Sequence, residues 1–306
     1  MKFSVLAFSA VIVALNAAVV SWAAGGGTQV PKYGYIDKTG KLVIPATFEE
    51  AQSFHDGLAQ VKIKGKLAYI DKTGKIAITP NCNIACDFSQ GLAAVRVGDK
   101  WGYIDKSGKI AIEPKYDRTY DFGEDLGMVH VKDNYGFIEK SGKIVIPPKM
   151  HVMSPFSSGR APVMVGEKFG FIDKTGKMVI PANLVDANFF SDGLCKVMPM
   201  GKQKYGYIDP SGKLVIPATY EECDDFHDGL AAVRHGAKWS FIDKTGKSIS
   251  AKTYSDTRNY CEGMAPVKIG ALWGYADKDQ QIKIKPAFKD AYSMSEGLAV
   301  VSPGKP

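Results

Sequence analysis

The sequence predicts an all-β fold: a repeat array of eight antiparallel β-meander units of about 34 residues each. Three observations predict it. The stretch Trp101–Ile112, reading Trp-Gly-Tyr-Ile-Asp-Lys-Ser-Gly-Lys-Ile-Ala-Ile, recurs in near-copies that begin at residues 33, 67, 101, 135, 169, 205, 239 and 273. Within a copy, short runs alternate bulky residues with small or polar ones and stop at Gly-containing turns, the pattern of strands rather than helices. The chain also ends on a surplus Gly297-Leu-Ala-Val-Val301 run, while the first copy starts at Tyr33 without one before it.

Taken in order, residues 1–23 read as a secretory signal peptide. Lys2 precedes an apolar run from Val5 to Ala14 that continues to about Val20, and Ser21-Trp22-Ala23 fits a small-x-small cleavage site. This segment is too short and wrongly flanked for a stable membrane span. No Cys follows at once for a lipid anchor. The expected location is therefore secreted or periplasmic. Residues 24–32 form a Gly-rich linker, and 33–306 form one domain of eight repeats.

Each copy opens with a hairpin. Asp105 at the turn entrance accepts a hydrogen bond from the backbone two residues on, and Gly108 supplies the positive φ that closes the turn. Every copy begins this turn with Asp, or with Glu139 in the fourth, and only Gln280 replaces the Gly. A Pro-containing bend and a short piece such as Tyr116-Asp117 follow. Then comes Phe54, Phe88, Phe122, Phe156, Phe190 or Phe226, replaced by Tyr260 and Met294 in the last two copies. A Gly-Leu-Ala-x-Val strand, as at Gly91–Val95, and a tight turn such as Val97-Gly-Asp-Lys100 lead into the next hairpin. Eight such units close into a β-propeller-like ring or stack into a β-solenoid. A ring would seat Gly297–Val301 beside Tyr33–Asp37 and remove both sheet edges, although Thr28-Gln-Val30 could fill the same slot.

The formal net charge of +7 becomes +6 without Lys2. That modest excess allows attraction to acidic polymers without requiring it, and export disfavours nucleic acid. Five Cys is an odd number for an oxidising compartment. Cys82, Cys195 and Cys223 occupy slots held in other copies by Phe48, Ala59 and Ala51, which reads as small apolar residues in the core. Cys82 and Cys86 are the only close pair. A local disulfide stays open there, and no His flanks them for a metal site.

On these residues the chain resembles the WG (KWG) repeat family. The resemblance rests on Trp101-Gly-Tyr-Ile-Asp-Lys-Ser-Gly-Lys, Pro114–Asp117 and the Gly-Leu-Ala-x-Val run, and it covers Tyr33 to about Val301. Trp stands first only at Trp101, Trp239 and Trp273, with Tyr, Phe or Leu elsewhere, so that slot requires apolar bulk rather than indole. The family implies a repeat scaffold with no assigned reaction. The hairpin also resembles the blade hairpin of quinoprotein-type propellers, but no residues here match quinone or metal ligands.

Several candidates for function follow. The aromatic residues Trp101, Tyr103, Trp239 and Trp273 would stack on sugar faces if exposed, or fill the core if not. The turn lysines, Lys106 and Lys109 among them, would form a basic edge, or serve only solubility and edge protection. His55-Asp56 and His227-Asp228 sit in matching loops without a Ser or Cys nucleophile motif. The turn aspartates offer one carboxylate each beside a Lys, which is too few for calcium. The expectation is a monomeric, non-enzymatic binding scaffold without cofactor or metal, whose partner is a protein or a cell-envelope polysaccharide. Contacts would come through loops that vary between copies, Thr79–Cys86, Pro148–Pro155 and Met198–Lys204. The alternatives are a propeller-type hydrolase or lyase with a site in the central funnel, with Glu124, Asp125, Glu221 and Glu222 as candidate acids, and a purely structural envelope protein.

Overall fold

The computed structural model describes residues 32–152 and 154–304. The signal-peptide reading and Thr28–Val30 therefore lie outside the described residues. Within them every regular element is a strand.

Strands come in groups of four that bond in chain order: Ile84–Ser89, Leu92–Val97, Lys100–Asp105 and Ile110–Tyr116 make one such blade. Each blade thus joins the end of one copy to the hairpin of the next. The fourth strand is the solvent edge, where Leu42, Ile76, Ile110 and Ile144 stand exposed. First strands touch their neighbours instead: the Asn188 amide donates to Asp225, and the Ser89 hydroxyl to the Phe122 carbonyl. First strands therefore face the axis.

The last copy closes on the first. Leu298–Pro303 pairs antiparallel with Tyr33–Asp37, with Gly34 opposite Val301 and Asp37 opposite Leu298. The Ser295 hydroxyl donates to the Phe54 carbonyl and the Gly57 N–H to the Glu296 carboxylate, contacts between residues about 240 apart in sequence. The surplus strand does seat beside Tyr33–Asp37, and the blades form a ring.

The core lies between blades. Tyr103 in a third strand meets Phe122 in the next first strand, ring centroids 5.0 Å apart, with Ile112 and Val129 around them. The same contact recurs at Tyr35–Phe54, Tyr69–Phe88, Phe137–Phe156, Phe171–Phe190 and Tyr207–Phe226. Rings of this size bury the most apolar area per residue, so each interface is anchored by its aromatic pair.

The Gly after the first aromatic is set by close approach. A Cβ on Gly102 would lie 2.4 Å from the Ile112 carbonyl oxygen, because the Pro-containing fourth strand bulges onto it. Gly34, Gly136 and Gly206 face the same contact at 2.5–2.6 Å. Two copies carry a Cβ there, Ala68 and Ser240. In the first the fourth strand shrinks to Ile76–Ile78, and in the second it survives only as the bridges Ile242–Ser248 and Trp239–Tyr254. Gly102→Ala is accordingly expected to cost about 1–3 kcal/mol by overpacking and to speed amide exchange over residues 113–116. Urea unfolding with hydrogen exchange checks this, and wild-type values in both would refute the account.

Candidate functional site

Each blade carries a loop next to the axis, His55-Asp56-Gly57 being one. Its second residue sits in the left-handed region throughout: Asp56, Gln90, Glu124, Ser158, Asp192, Asp228, Glu262 and Glu296 have φ between 50° and 55°. That backbone is strained for a side-chain-bearing residue, and the side chain offsets it by reaching the next blade. Asp56 accepts the Gly91 N–H at 2.6 Å, Glu124 that of Gly159 at 3.0 Å, Asp192 that of Gly229 at 2.7 Å and Glu296 that of Gly57 at 3.0 Å. Gln90 does the same for Asp125.

The first turn lysine completes the clasp. Lys38 pairs with Glu262 at 3.1 Å, Lys72 with Glu296 at 3.0 Å and Lys174 with Glu124 at 3.1 Å. The Lys106 ammonium donates to the Asp56 carbonyl at 2.7 Å. Where the tip has Pro210 instead of Lys, Arg160 donates to the Pro210 carbonyl from the preceding blade. The second turn lysine behaves differently. Lys41, Lys75, Lys109, Lys143, Lys177, Lys213 and Lys247 are exposed and make no ion pair among the described residues.

The turn aspartates cap their own hairpins. Asp105 Oδ1 accepts the Ser107 hydroxyl at 2.6 Å and the Ser107 and Lys109 amides. The hydroxyl bond holds its carboxyl below the usual range. Neither His–Asp neighbour makes a dyad, since Asp56 and Asp228 each spend their carboxylate on a glycine N–H of the next blade. Glu124, Asp125, Glu221 and Glu222 all sit in ion pairs with Lys or Arg.

The aromatic candidates divide. Tyr103 is fully enclosed and its hydroxyl donates to the Tyr120 carbonyl at 2.7 Å, so its ring has no free face for a sugar. Trp273 is 5% exposed and lies beneath the Arg258 guanidinium at 4.8 Å. Trp101 and Trp239 are half-buried against the core. Of the variable segments, Pro148–Val152 belongs to the strand Ile144–Val152 rather than to a loop. The repeated Pro-containing bend continues there because this stretch pairs with both neighbours, Met150 with Tyr135 and Val152 with Val163.

Sequence reasoning missed the acids next to the axis. Asp87 and Asp121 occupy the position just before the Phe in adjacent copies. Burial, with Asp121 adding repulsion, pushes the Asp87 carboxyl up to about 7, and burial pushes Asp121 up to about 6. Asp87 Oδ1 has no hydrogen-bond partner. Across copies the position reads Ser53, Asp87, Asp121, Pro155, Phe189, Asp225, Asn259 and Ser293, so the available signal was three aspartates in an otherwise neutral column. All five cysteines are free thiols, with Cys195 and Cys223 buried as expected for small core residues. Among the described residues no three metal-ligating side chains converge.

A carboxyl whose pKa is raised by folding contributes stability while protonated and loses it as pH climbs from its unfolded value near 4 through about 7. Asp87→Asn should therefore stabilise the protein on the order of 2 kcal/mol at pH 8 and far less at pH 4.5. Chemical unfolding at both pH values tests it; an equal gain at both would show that ionisation is not the cost.

The family model of the WG containing repeat matches residues 33–66, 68–101, 101–134, 135–169, 169–198, 205–239, 239–273 and 273–302. Among solved structures, a eukaryotic initiation factor aligns over 87% of this chain and 87% of its own, with TM-score 0.57 and 11% identity. The dihydro-heme d1 dehydrogenase NirN in complex with DHE aligns over 83% of this chain and 72% of its own, with TM-score 0.50 and 10% identity. At these identities the likeness concerns the fold alone. No curated protein matches the chain.

Proposed function

Because the chain belongs to the WG repeat family, with eight copies closed into one ring, we propose that it is an exported, non-enzymatic scaffold that binds an anionic cell-envelope glycan. The observation that carries this reading is the division between the two turn lysines. The first is paired between blades at Lys38, Lys72 and Lys174, whereas the second stands unpaired and exposed at one position of each of seven blades, Lys109 among them. Beside it stands an exposed apolar residue: Leu42, Ile76, Ile110, Ile144, Met178 or Leu214. A single such pair binds weakly, because exposed charges are screened. Repetition around a rim turns weak contacts into avidity for a polymer that spans several of them. The aromatic residues take no part, being committed to the core. A closed ring leaves no terminal blade in need of a partner, which favours a monomer.

The raised carboxyls of Asp87 and Asp121 favour a second reading, a hydrolase or lyase site in the central funnel, since a carboxylic acid held protonated near neutral pH suits general acid catalysis. Under that reading Asp87→Asn abolishes turnover of a glycan that the wild type degrades.

Co-sedimentation of residues 24–306 with isolated cell-wall sacculi and a panel of insoluble polysaccharides, at low and moderate salt, tests the leading reading. Retention on acidic polymers that weakens as salt rises is the expected result. No retention at either salt would sink the glycan reading, and a protein captured instead would redirect it.

A further inference from the structure

Eight copies provide their own controls, and one seam between blades departs from the other seven. At seven seams the turn glycine of one hairpin packs on an Ile of the preceding hairpin, as Gly74 does on Ile44, Gly108 on Ile78 and Gly212 on Ile180. At the eighth the sizes are exchanged: Ser250 holds the Ile position and buried Gln280 holds the glycine position. The same copy has Ser240 in place of the hairpin Gly. It also has Ala251-Lys252 where every other copy places a proline at one of the two positions. Its fourth strand does not form, and a groove of about 420 Å³ opens there, lined by Lys238, Lys252, Tyr254, Lys268 and Gln280.

Three lysines line this groove and none forms an ion pair among the described residues. At the position of Lys268 the other Lys and Arg residues, Lys62, Arg96 and Arg234, all sit in ion pairs, and at that of Lys238 so does Lys100. Lys100 pairs with Asp117 at 2.6 Å, whereas Lys238 has Ser255 at that position. Lys62 pairs with Glu50 at 2.8 Å, whereas Asp256, opposite Lys268, turns its carboxylate to the Thr257 N–H at 2.9 Å. The Lys252 ammonium donates to the Gln280 carbonyl at 2.7 Å, which anchors it at the groove. Of the lining residues, Tyr254 and Gln280 each carry a buried polar atom without a partner, the hydroxyl and Oε1.

We propose that this seam is a binding site for an acidic saccharide unit, its carboxylate held by Lys238, Lys252 and Lys268. Its hydroxyls donate to Gln280 Oε1 and exchange a hydrogen bond with Tyr254. A bare anion satisfies the lysines but leaves the Gln280 acceptor orphaned, and a neutral sugar does the reverse. Only a ligand with both groups answers the whole site. The groove volume lies within the range of small-ligand sites, about 300–1,000 Å³. This inference rests on the glycan reading above and assigns it one defined site in addition to the rim.

Calorimetric titration of the full chain with trigalacturonate, with neutral galactotriose and with sodium sulfate at matched ionic strength tests it. Trigalacturonate is expected to bind at least about tenfold tighter than either of the others. Lys252→Gln and Tyr254→Phe should each weaken it severalfold, and the distant Lys64→Gln should not. Circular dichroism confirms that each variant is folded, and the Tyr254→Phe arm stands if Lys252→Gln is not. Sulfate binding as tightly as the acidic sugar, or full affinity in both groove variants, overturns the site. If trigalacturonate fails to bind while sacculi are still retained, the seam is wrong and the rim reading survives. If neither occurs, both fall.

Discussion

The ring depends on one contact: the aromatic at the third hairpin position packed against the Phe of the next blade's first strand. Every other feature serves or tolerates it. The pairs lie at 4.6–5.2 Å between centroids in six of the seams, at tilted or edge-on angles. In copies with Tyr the hydroxyl also donates to a carbonyl just past that first strand, as Tyr35 does to Gln52, Tyr207 to Asp224 and Tyr275 to Tyr292. The phenol thus reaches across the interface to satisfy a backbone acceptor that the ring itself has desolvated. Because the contact lies between blades, a single blade has half a core. Closure of the circle is then an energetic requirement, and the pairing of Leu298–Pro303 with Tyr33–Asp37 meets it.

Polar repetition follows from the same geometry. The axial loops must turn sharply to bring each Phe inward, and they do so with a residue at positive φ and a Gly after it. The carboxylate at that residue spans to the neighbouring blade's Gly N–H and gathers the neighbouring turn lysine. Exposed pairs of this kind contribute little singly, but a charge-assisted bond to a backbone N–H orients two blades as well as attracting them. The fourth copy shows what happens without it. Ser158 is too short for the span, the opposite lysine is replaced by Pro210, and Arg160 supplies a different bond at 3.3 Å.

Much of this was legible in the chain. Period-two runs, Gly-ended turns and the surplus last strand gave an all-β meander and pointed to where a ring would join. The turn role of Asp105 and the core role of Cys195 and Cys223 also read directly, because they concern neighbours in sequence or equivalent slots in a repeat. What did not read was anything decided between blades. Lys174 and Glu124 are 50 residues apart, so nothing local says that one turn lysine is spent and the next, Lys177, is not. The environment of Asp87 was equally hidden, since burial and the nearness of Asp121 come from packing adjacent first strands. The hairpin Gly looked like a turn preference; its cause is the Ile112 carbonyl in the strand opposite.

In a closed array each slot is filled eight times under one set of steric demands, so a lone exception reports either tolerance or a second demand. Ala68 is tolerance: a methyl shortens one strand and nothing else answers it. Ser250 and Gln280 are different, because the two exceptions fall at the two positions that meet at every other seam. Around them the proline is gone, Asp256 opposite Lys268 turns its carboxylate to a backbone N–H, and two buried polar atoms are left without partners. Packing alone explains the exchange of sizes but not the gathering of three lysines without an ion pair at one groove. A site for an anion requires both. The physical division of labour is then clear: residues that repeat hold the circle together, and the copy that departs from them is where the molecule has chemistry to spare.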